Sequence, residues 1–168
     1  MSRFKLLALV ALITFAFGVT LVGDALAGEK FKLRTVKYSV KWEAIDVGDE
    51  EGHAVAIQEA KGIVSNREGK PFGEGWLHRY VATLDMNYKT EFGIGHWYEE
   101  VTDPAGDKYY YVGEGNRVTK AIWKGTYTIT KGTGKFSGIK GNGTWIAYIA
   151  APTQFYTDEE WDIELPQR

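Results

Sequence analysis

Apolar and polar residues alternate in short runs along most of the chain. In residues 123–130 every second residue, beginning with Trp123, is aromatic, aliphatic or glycine, and the residues between them are lysine or threonine. This period of two is typical of a β-strand with one buried face. About eight such extended runs are separated by turn residues, and they begin at Phe31, Val55, Trp76, Glu91, Lys108, Ala121, Gly141 and Glu160. No run has a sustained helical period, so the pattern predicts an all-β antiparallel barrel or sandwich.

The individual runs differ in how clearly they indicate the buried face and the ends of the strand. Residues 31–44 carry an apolar row that includes Val36 and a polar row that includes Lys37, so one face of this strand should be in water. In residues 76–85 both faces carry large side chains, and the inner face cannot be assigned. The pattern also predicts a strand at residues 108–113 that ends in a turn at residues 114–116. A last strand at residues 161–165 should return to close the barrel.

One predicted strand, residues 91–102, places glycines beside large side chains. Gly93, Gly95, Trp97 and Glu99 fall on the same face of this strand. Glycine that faces the inside of a barrel leaves room for a bend, for a bulky neighbour or for a ligand.

The segment between the two runs that begin at Ala121 and Gly141 is rich in glycine. Its sequence is KGTGKFSGIKG, in which Gly132, Gly134 and Gly138 supply the backbone freedom that tight turns require. Phe136 and Ile139 are its two apolar residues. We expect them to plug one end of the barrel.

This hairpin resembles a known family. The residues that carry the resemblance are Gly125-Thr126-Tyr127-Thr128-Ile129-Thr130, Gly132-Thr133-Gly134-Lys135-Phe136, Gly138-Ile139 and Gly141-Asn142-Gly143-Thr144. They are similar to the penultimate hairpin of bacterial allene oxide cyclase-like barrels, which are relatives of the plant dirigent proteins among the calycin-like barrels. The resemblance implies a single antiparallel eight-stranded barrel. Relatives of this type often associate as dimers or trimers, so it also implies that a homo-oligomer can form.

The first 27 residues have the pattern of a cleavable export signal. Arg3 and Lys5 precede an apolar run from Leu6 to Val22, and Ala25-Leu26-Ala27 supplies a small-residue cleavage site. We therefore expect residues 1–27 to be a signal peptide, residues 28–168 to form one β-barrel domain, and the protein to be periplasmic or secreted. After cleavage we expect no stable membrane insertion.

The amino-acid composition indicates which kinds of partner this chain can bind. Three of the 8 Phe lie in the predicted leader, so 21 aromatic residues remain in residues 28–168, including all 6 Trp and all 10 Tyr. The same segment carries 18 basic and 21 acidic residues, which gives a formal charge of −3 without a basic cluster. A nucleic-acid partner is therefore not expected. The chain has no cysteine, so its stability must come from the core and the ladder hydrogen bonds.

The aromatic residues favour a ligand cavity. An eight-stranded barrel can fill its interior with side chains or hold one small ligand. Buried Trp and Tyr need partners for their polar atoms, so a dry, filled core would favour Leu, Ile and Phe instead. We therefore predict that the barrel binds a small hydrophobic or aromatic molecule, with a lining of Trp76, His78, Tyr80, Trp97, Tyr109, Tyr111, Trp123, Tyr127 and Trp145.

Motifs for metal binding, phosphate binding and covalent catalysis are weak or missing. His53, His78 and His96 have no local zinc spacing, and the acidic turn at residues 46–52 lacks the full calcium-loop pattern. Gly134-Lys135 does not complete a phosphate loop. We expect no cofactor and no metal site.

Acid-base chemistry is the remaining catalytic option. Glu91, His96, Tyr98 and Glu99 are the polar candidates, because they lie in a segment rich in aromatic residues. Cyclases and dirigent proteins of this barrel type confine a reactive, apolar substrate, and the family resemblance implies the same possibility here. None of their catalytic residues matches a position in this sequence. Three hypotheses stay open: a binding barrel, a cofactor-free cyclase or isomerase, and a filled structural or interaction barrel. A cavity with a buried, unpaired carboxylate would favour the enzyme, a cavity without one the binding protein, and no cavity the third.

Overall fold

The structure is a computed structural model that describes residues 28–166. The predicted signal peptide, residues 1–27, lies outside the described residues. The described part contains a short 3-10 helix at Gly134–Phe136 and eight strands: β1 (Glu29–Asp46), β2 (His53–Asn66), β3 (Leu77–Asn87), β4 (Gly93–Thr102), β5 (Lys108–Thr119), β6 (Ile122–Gly132), β7 (Lys140–Ala151) and β8 (Gln154–Glu164).

The eight strands form a closed barrel. Each strand pairs antiparallel with the next one in the sequence, and β8 pairs antiparallel with β1. Closure satisfies the backbone groups that an open sheet would expose at its edges. The predicted all-β, eight-stranded antiparallel barrel is therefore confirmed. Residues 28–166 include no helix that is long and apolar enough to cross a lipid bilayer.

Strand β1 turns the side chain of Lys37 toward the inside of the barrel. Leu33 anchors the strand in the core, and the period of two then carries Thr35 and Lys37 to the same inner face. Lys37 is only 3% exposed, whereas Val36 on the opposite face is 59% exposed. The sequence predicts this alternation, but up to Ser39 the polar row faces inward and the apolar row faces solvent. A bulge between Ser39 and Lys41 then shifts the register, and Trp42 of the apolar row lines the cavity.

Two predicted strand boundaries were wrong. Strand β5 continues to Thr119 and does not turn at residues 114–116, because Gly115 in this stretch pairs with both neighbouring strands. Strand β8 begins at Gln154, directly after a turn at residues 152–153, and not near Glu160. Both strands are therefore longer than the local pattern suggested.

One end of the barrel is sealed by aromatic rings. Phe136, from the glycine-rich segment between β6 and β7, is buried and lies 5.5 Å from Trp76 and 5.6 Å from Tyr109, measured between ring centroids. Phe72, from the loop between β2 and β3, stacks on Phe31 at 4.3 Å. Ile139 is also buried. The prediction that Phe136 and Ile139 plug a barrel end is confirmed.

Candidate ligand-binding cavity

A cavity of about 520 Å³ occupies the barrel interior away from the aromatic plug. Its inner end is formed by buried side chains, among them Lys37, Tyr80 and Tyr127. Its lining also includes exposed residues of the β5–β6 and β7–β8 turns, such as Lys120 and Thr153. The cavity therefore opens at the end of the barrel opposite the plug. Its volume lies within the range typical of small-molecule sites, roughly 300–1,000 Å³.

Three tryptophans form one wall of the cavity. The ring of Trp97 is almost perpendicular to the ring of Trp123, at 82° and 6.0 Å, and to the ring of Trp145, at 73° and 4.9 Å. Tyr127 stacks on Trp145 at 5.5 Å and 25°. Edge-to-face and offset stacked arrangements are the favoured geometries of aromatic pairs. The wall thus offers both ring faces and ring edges to a ligand.

A row of glycines makes room for this wall. Gly95 in β4 pairs with Gly115 in β5, and Gly115 pairs with Gly125 in β6. A Cβ atom at Gly115 would lie 2.6 Å from Cζ2 of Trp145, and one at Gly95 would lie 2.7 Å from Cη2 of Trp97. The rings lie directly over backbone that has no side chain. This arrangement agrees with the expectation that inward glycines accommodate bulky neighbours.

A polar cluster lies at the inner end of the cavity. Oε2 of Glu99 lies 2.6 Å from Nε2 of His78 and 3.3 Å from Nζ of Lys37. Nε2 of His78 also lies 3.1 Å from the hydroxyl of Tyr111. All four side chains are buried. Of these groups Lys37 lines the cavity, while Glu99, His78 and Tyr111 lie behind the lining.

The charges in this cluster compensate one another. Burial alone would raise the pKa of Glu99, but the positive charge of Lys37 and the hydrogen bond with His78 outweigh it and lower that pKa to about 2. Burial, helped by the charge of Lys37, lowers the pKa of His78 to about 4. At neutral pH the cluster therefore holds an ionised Glu99 and a neutral His78, whose Nε2–H donates to Glu99.

A second buried carboxylate, Glu159, lies outside the cavity lining. Thr35 donates a hydrogen bond to Oε1 of Glu159 over 2.8 Å, and the indole N–H of Trp161 donates to Oε2 over 2.9 Å. Burial raises the pKa of Glu159, in opposition to these hydrogen bonds. Both carboxyl oxygens have partners, so Glu159 is held as a structural group of the core.

The predicted ligand-binding residues fall into three places. Those that line the cavity are Tyr80, Trp97, Trp123, Tyr127 and Trp145. His78 and Tyr111 belong to the polar cluster behind the lining. Trp76 and Tyr109 belong to the aromatic plug at the sealed end.

The predicted acid-base residues are divided between the two sides of the barrel wall. Glu99 is buried in the interior, whereas His96 is exposed and Tyr98 is 66% exposed on the outer face of the same strand. Glu91 is exposed in the turn between β3 and β4. The structure therefore brings Glu99, but not the other three, together with the interior groups.

The interior and cavity residues that the sequence analysis did not identify include the charged residues Lys37, Arg117 and Glu159. Lys37 was recognisable in principle, because it lies four residues after the core residue Leu33 on the same strand face. Arg117 lines the cavity, but it follows the stretch that was predicted to be a turn. Glu159 was not recognisable, because its partner Thr35 lies on β1, 124 positions away in the sequence.

Comparison with known proteins defines the fold. No protein-family model and no curated protein matches the sequence. A pterocarpan synthase dirigent protein of known structure is similar, with a TM-score of 0.53 and 9% sequence identity over 88% of this chain and 95% of that chain. The chain has the fold of a dirigent protein. A pyocyanin demethylase structure is also similar, with a TM-score of 0.46 and 17% identity over 81% of this chain and 100% of that chain.

The dirigent-type fold confirms what the hairpin motif implied about architecture. At these levels of identity the likeness concerns the barrel itself. The ligand that this dirigent-type barrel can hold depends on its cavity and on the residues around it.

Proposed function

We propose that the protein binds a small hydrophobic or aromatic molecule inside the barrel. The observation that carries this proposal is the cavity of about 520 Å³, whose inner end is formed by Lys37, Tyr80 and Tyr127 and whose wall is Trp97, Trp123 and Trp145. A cavity of this kind is unlike the interior of a filled structural barrel. It suits a flat ligand that stacks on one indole ring and meets the edge of another.

The wall also offers hydrogen-bond donors. The indole N–H of Trp145 donates to the backbone oxygen of Thr126 over 3.2 Å. Among residues 28–166, the indole N–H groups of Trp97 and Trp123 have no acceptor. A ligand with a carbonyl, ether or hydroxyl oxygen would supply one.

We further propose that binding takes place outside the cytoplasm. Arg3, Lys5, the apolar run and the Ala25-Leu26-Ala27 site support export.

The test is binding of the uncharged dye N-phenylnaphthylamine, followed by its own fluorescence and by native mass spectrometry. We expect a complex of one dye per chain. In Ala147→Phe the added ring fills space beside the tryptophans, because Ala147 lines the cavity, and the affinity should fall at least about tenfold. Ala105→Phe is the matched control, because Ala105 is exposed in the β4–β5 turn. Absence of saturable binding to the wild type, or equal binding to Ala147→Phe, would remove the proposal.

A cofactor-free cyclase or isomerase is a second candidate, and the polar cluster favours it. Lys37 lines the cavity, and its Nζ lies 3.3 Å from Oε2 of Glu99. A proton could pass between a ligand and Glu99 through Lys37, because Glu99 itself lies behind the lining. Oε2 of Glu99 pairs with Lys37 and His78, so its negative charge is compensated and the binding function is the stronger candidate, although Oε1 has no hydrogen-bond partner among residues 28–166.

The two candidates can be separated with Glu99→Gln and the molecule extracted from protein purified from its own source. If Glu99 takes part in catalysis, the variant should lose turnover of that molecule and retain binding. Glu160→Gln is the control, since Glu160 is exposed on the outer face of β8. Unchanged turnover in Glu99→Gln would exclude Glu99 as the acid or base.

A further inference from the structure

We propose that the cavity selects an organic anion: a hydrophobic aromatic molecule with an acidic group that Arg117 and Lys120 bind at the mouth. This inference rests on the proposed binding function and specifies its ligand class. It is carried by the distribution of charge around the cavity and by the way Arg117 is held.

The charged residues of the lining are all cationic. Lys37, Arg117 and Lys120 line the cavity, and the lining contains no aspartate or glutamate. The whole chain has a formal charge of −2, so the positive lining is a local feature. The buried carboxylates Glu99 and Glu159 lie behind the lining. An anion in the cavity would therefore contact positively charged side chains directly, whereas the carboxylates are separated from it by the lining residues.

Lys37 is already neutralised. Its Nζ lies 3.3 Å from Oε2 of Glu99, and both side chains are buried. A ligand anion beside Lys37 would have to compete with this ion pair inside the barrel. Within residues 28–166, Arg117 and Lys120 form no ion pair with a carboxylate. The uncompensated positive charge is therefore at the mouth.

The guanidinium of Arg117 is positioned by backbone carbonyl groups. One terminal nitrogen donates to the backbone oxygen of Asn87 over 3.2 Å, and the other donates to the backbone oxygen of Lys120 over 3.1 Å. Its Nε is buried and has no hydrogen-bond partner among the described residues. A buried donor without a partner is unfavourable, and a small rotation of the Arg117 side chain toward the cavity would let an acidic oxygen of a ligand satisfy it. A charge-assisted hydrogen bond of this kind is stronger than one between neutral groups.

The position of Arg117 also links the anion site to the aromatic wall. Arg117 in β5 is the cross-strand partner of Trp123 in β6. A ligand with its acidic group on Arg117 can therefore lay its rings against Trp123 and extend them toward Trp97 and Trp145. The geometry requires an anionic group at one end of a flat apolar body.

The experiment compares two dyes that share an aromatic skeleton. Anilinonaphthalene sulfonate carries a sulfonate, and N-phenylnaphthylamine lacks it. We expect the wild type to bind the sulfonate at least about tenfold more tightly than the neutral dye. Raising the salt concentration should weaken binding of the sulfonate and leave the neutral dye unchanged, which tests the charge without any substitution.

Two variants locate the effect. Arg117→Gln should reduce the difference between the dyes to about threefold or less while retaining the neutral dye. Lys124→Gln, which removes an exposed lysine from the outer face of β6, should bind both dyes as the wild type does. Equal affinities of the wild type for the two dyes would overturn the anion proposal and leave the binding function standing. If neither dye binds, both proposals fail.

Discussion

Nζ of Lys37 on β1 lies 3.3 Å from Oε2 of Glu99 on β4, and the pair reaches across the barrel interior between strands that are not neighbours in the sheet. The two residues are 62 positions apart in the sequence. Neither charge would be tolerated in this place alone, because an uncompensated buried charge carries a large desolvation penalty. Burial of the Lys37 charge therefore depends on Glu99, and burial of the Glu99 charge depends on Lys37.

Removal of the lysine should destabilise the protein strongly. In Lys37→Met the carboxylate of Glu99 stays buried without its counter-ion, and the free energy of unfolding should fall by about 3–5 kcal/mol. The control Lys41→Met breaks an exposed pair with Glu43 and should cost less than about 1 kcal/mol. Urea denaturation measures both values.

The double variant Lys37→Met/Glu99→Gln should recover part of the loss, because it removes the buried negative charge as well. A double variant that is no more stable than Lys37→Met would show that the unpaired carboxylate is not the cause.

Stability should fall as the solution is made acidic, and His78 should account for part of the effect. Burial lowers the pKa of His78 to about 4, from an ordinary value near 6.5. Between these values the unfolded chain binds a proton that the folded protein does not, so stability is lost as the pH falls through this window, by up to about 3 kcal/mol. Glu99, with a pKa near 2, adds a further loss below pH 4.5. Glu159 acts in the opposite direction, because burial raises its pKa.

His78→Gln should flatten this pH dependence. Urea unfolding at pH 7 and pH 4.5 gives the change in unfolding free energy for each protein. The control His96→Gln replaces an exposed histidine and should behave as the wild type does. If His78→Gln loses as much stability on acidification as the wild type, the neutral buried histidine is not responsible.

The glycine row should not tolerate a side chain. In Gly125→Ala the methyl group would collide with the backbone oxygen of Glu114 and lie 2.7 Å from Cζ2 of Trp145. Overpacking of this kind should reduce the free energy of unfolding by about 1–3 kcal/mol. The neighbouring exposed residue supplies the control, since Thr126→Ala changes only β-propensity, by less than about 1 kcal/mol. Thermal unfolding followed by circular dichroism compares the two, and equal stabilities would contradict the steric explanation.

Two equally buried tryptophans should differ in their effect on binding. Trp123 lines the cavity and Trp76 belongs to the plug, and each is 7% exposed. Trp123→Phe should weaken binding of N-phenylnaphthylamine by about three- to tenfold, because it removes part of an aromatic contact. Trp76→Phe should leave the affinity unchanged. Titration by fluorescence gives both constants, and the reverse order would place the ligand at the plug end.

Much of the architecture could be predicted because strand formation is largely a local property. The period of two around Trp123 and Tyr127 identified β6, and the glycines from Gly132 to Gly138 identified the turn that carries Phe136 into the plug. The β5 boundary was missed because a Gly at position 115 normally signals a turn. Here Gly115 is extended because it pairs with both neighbouring strands, and its missing side chain leaves the space that the ring of Trp145 occupies.

The sequence by itself determined the number and approximate places of the strands, their antiparallel arrangement and the aromatic character of the interior, and the family resemblance favoured a barrel over a sandwich. Only the tertiary structure decided that Lys37 faces inward to meet Glu99, that His96 and Tyr98 face outward, and that Trp76 belongs to the plug and not to the cavity. The physical reason is that the alternation of side chains defines two faces of a strand but does not show which of them points into the barrel. That choice depends on packing and charge pairing between strands distant in the sequence.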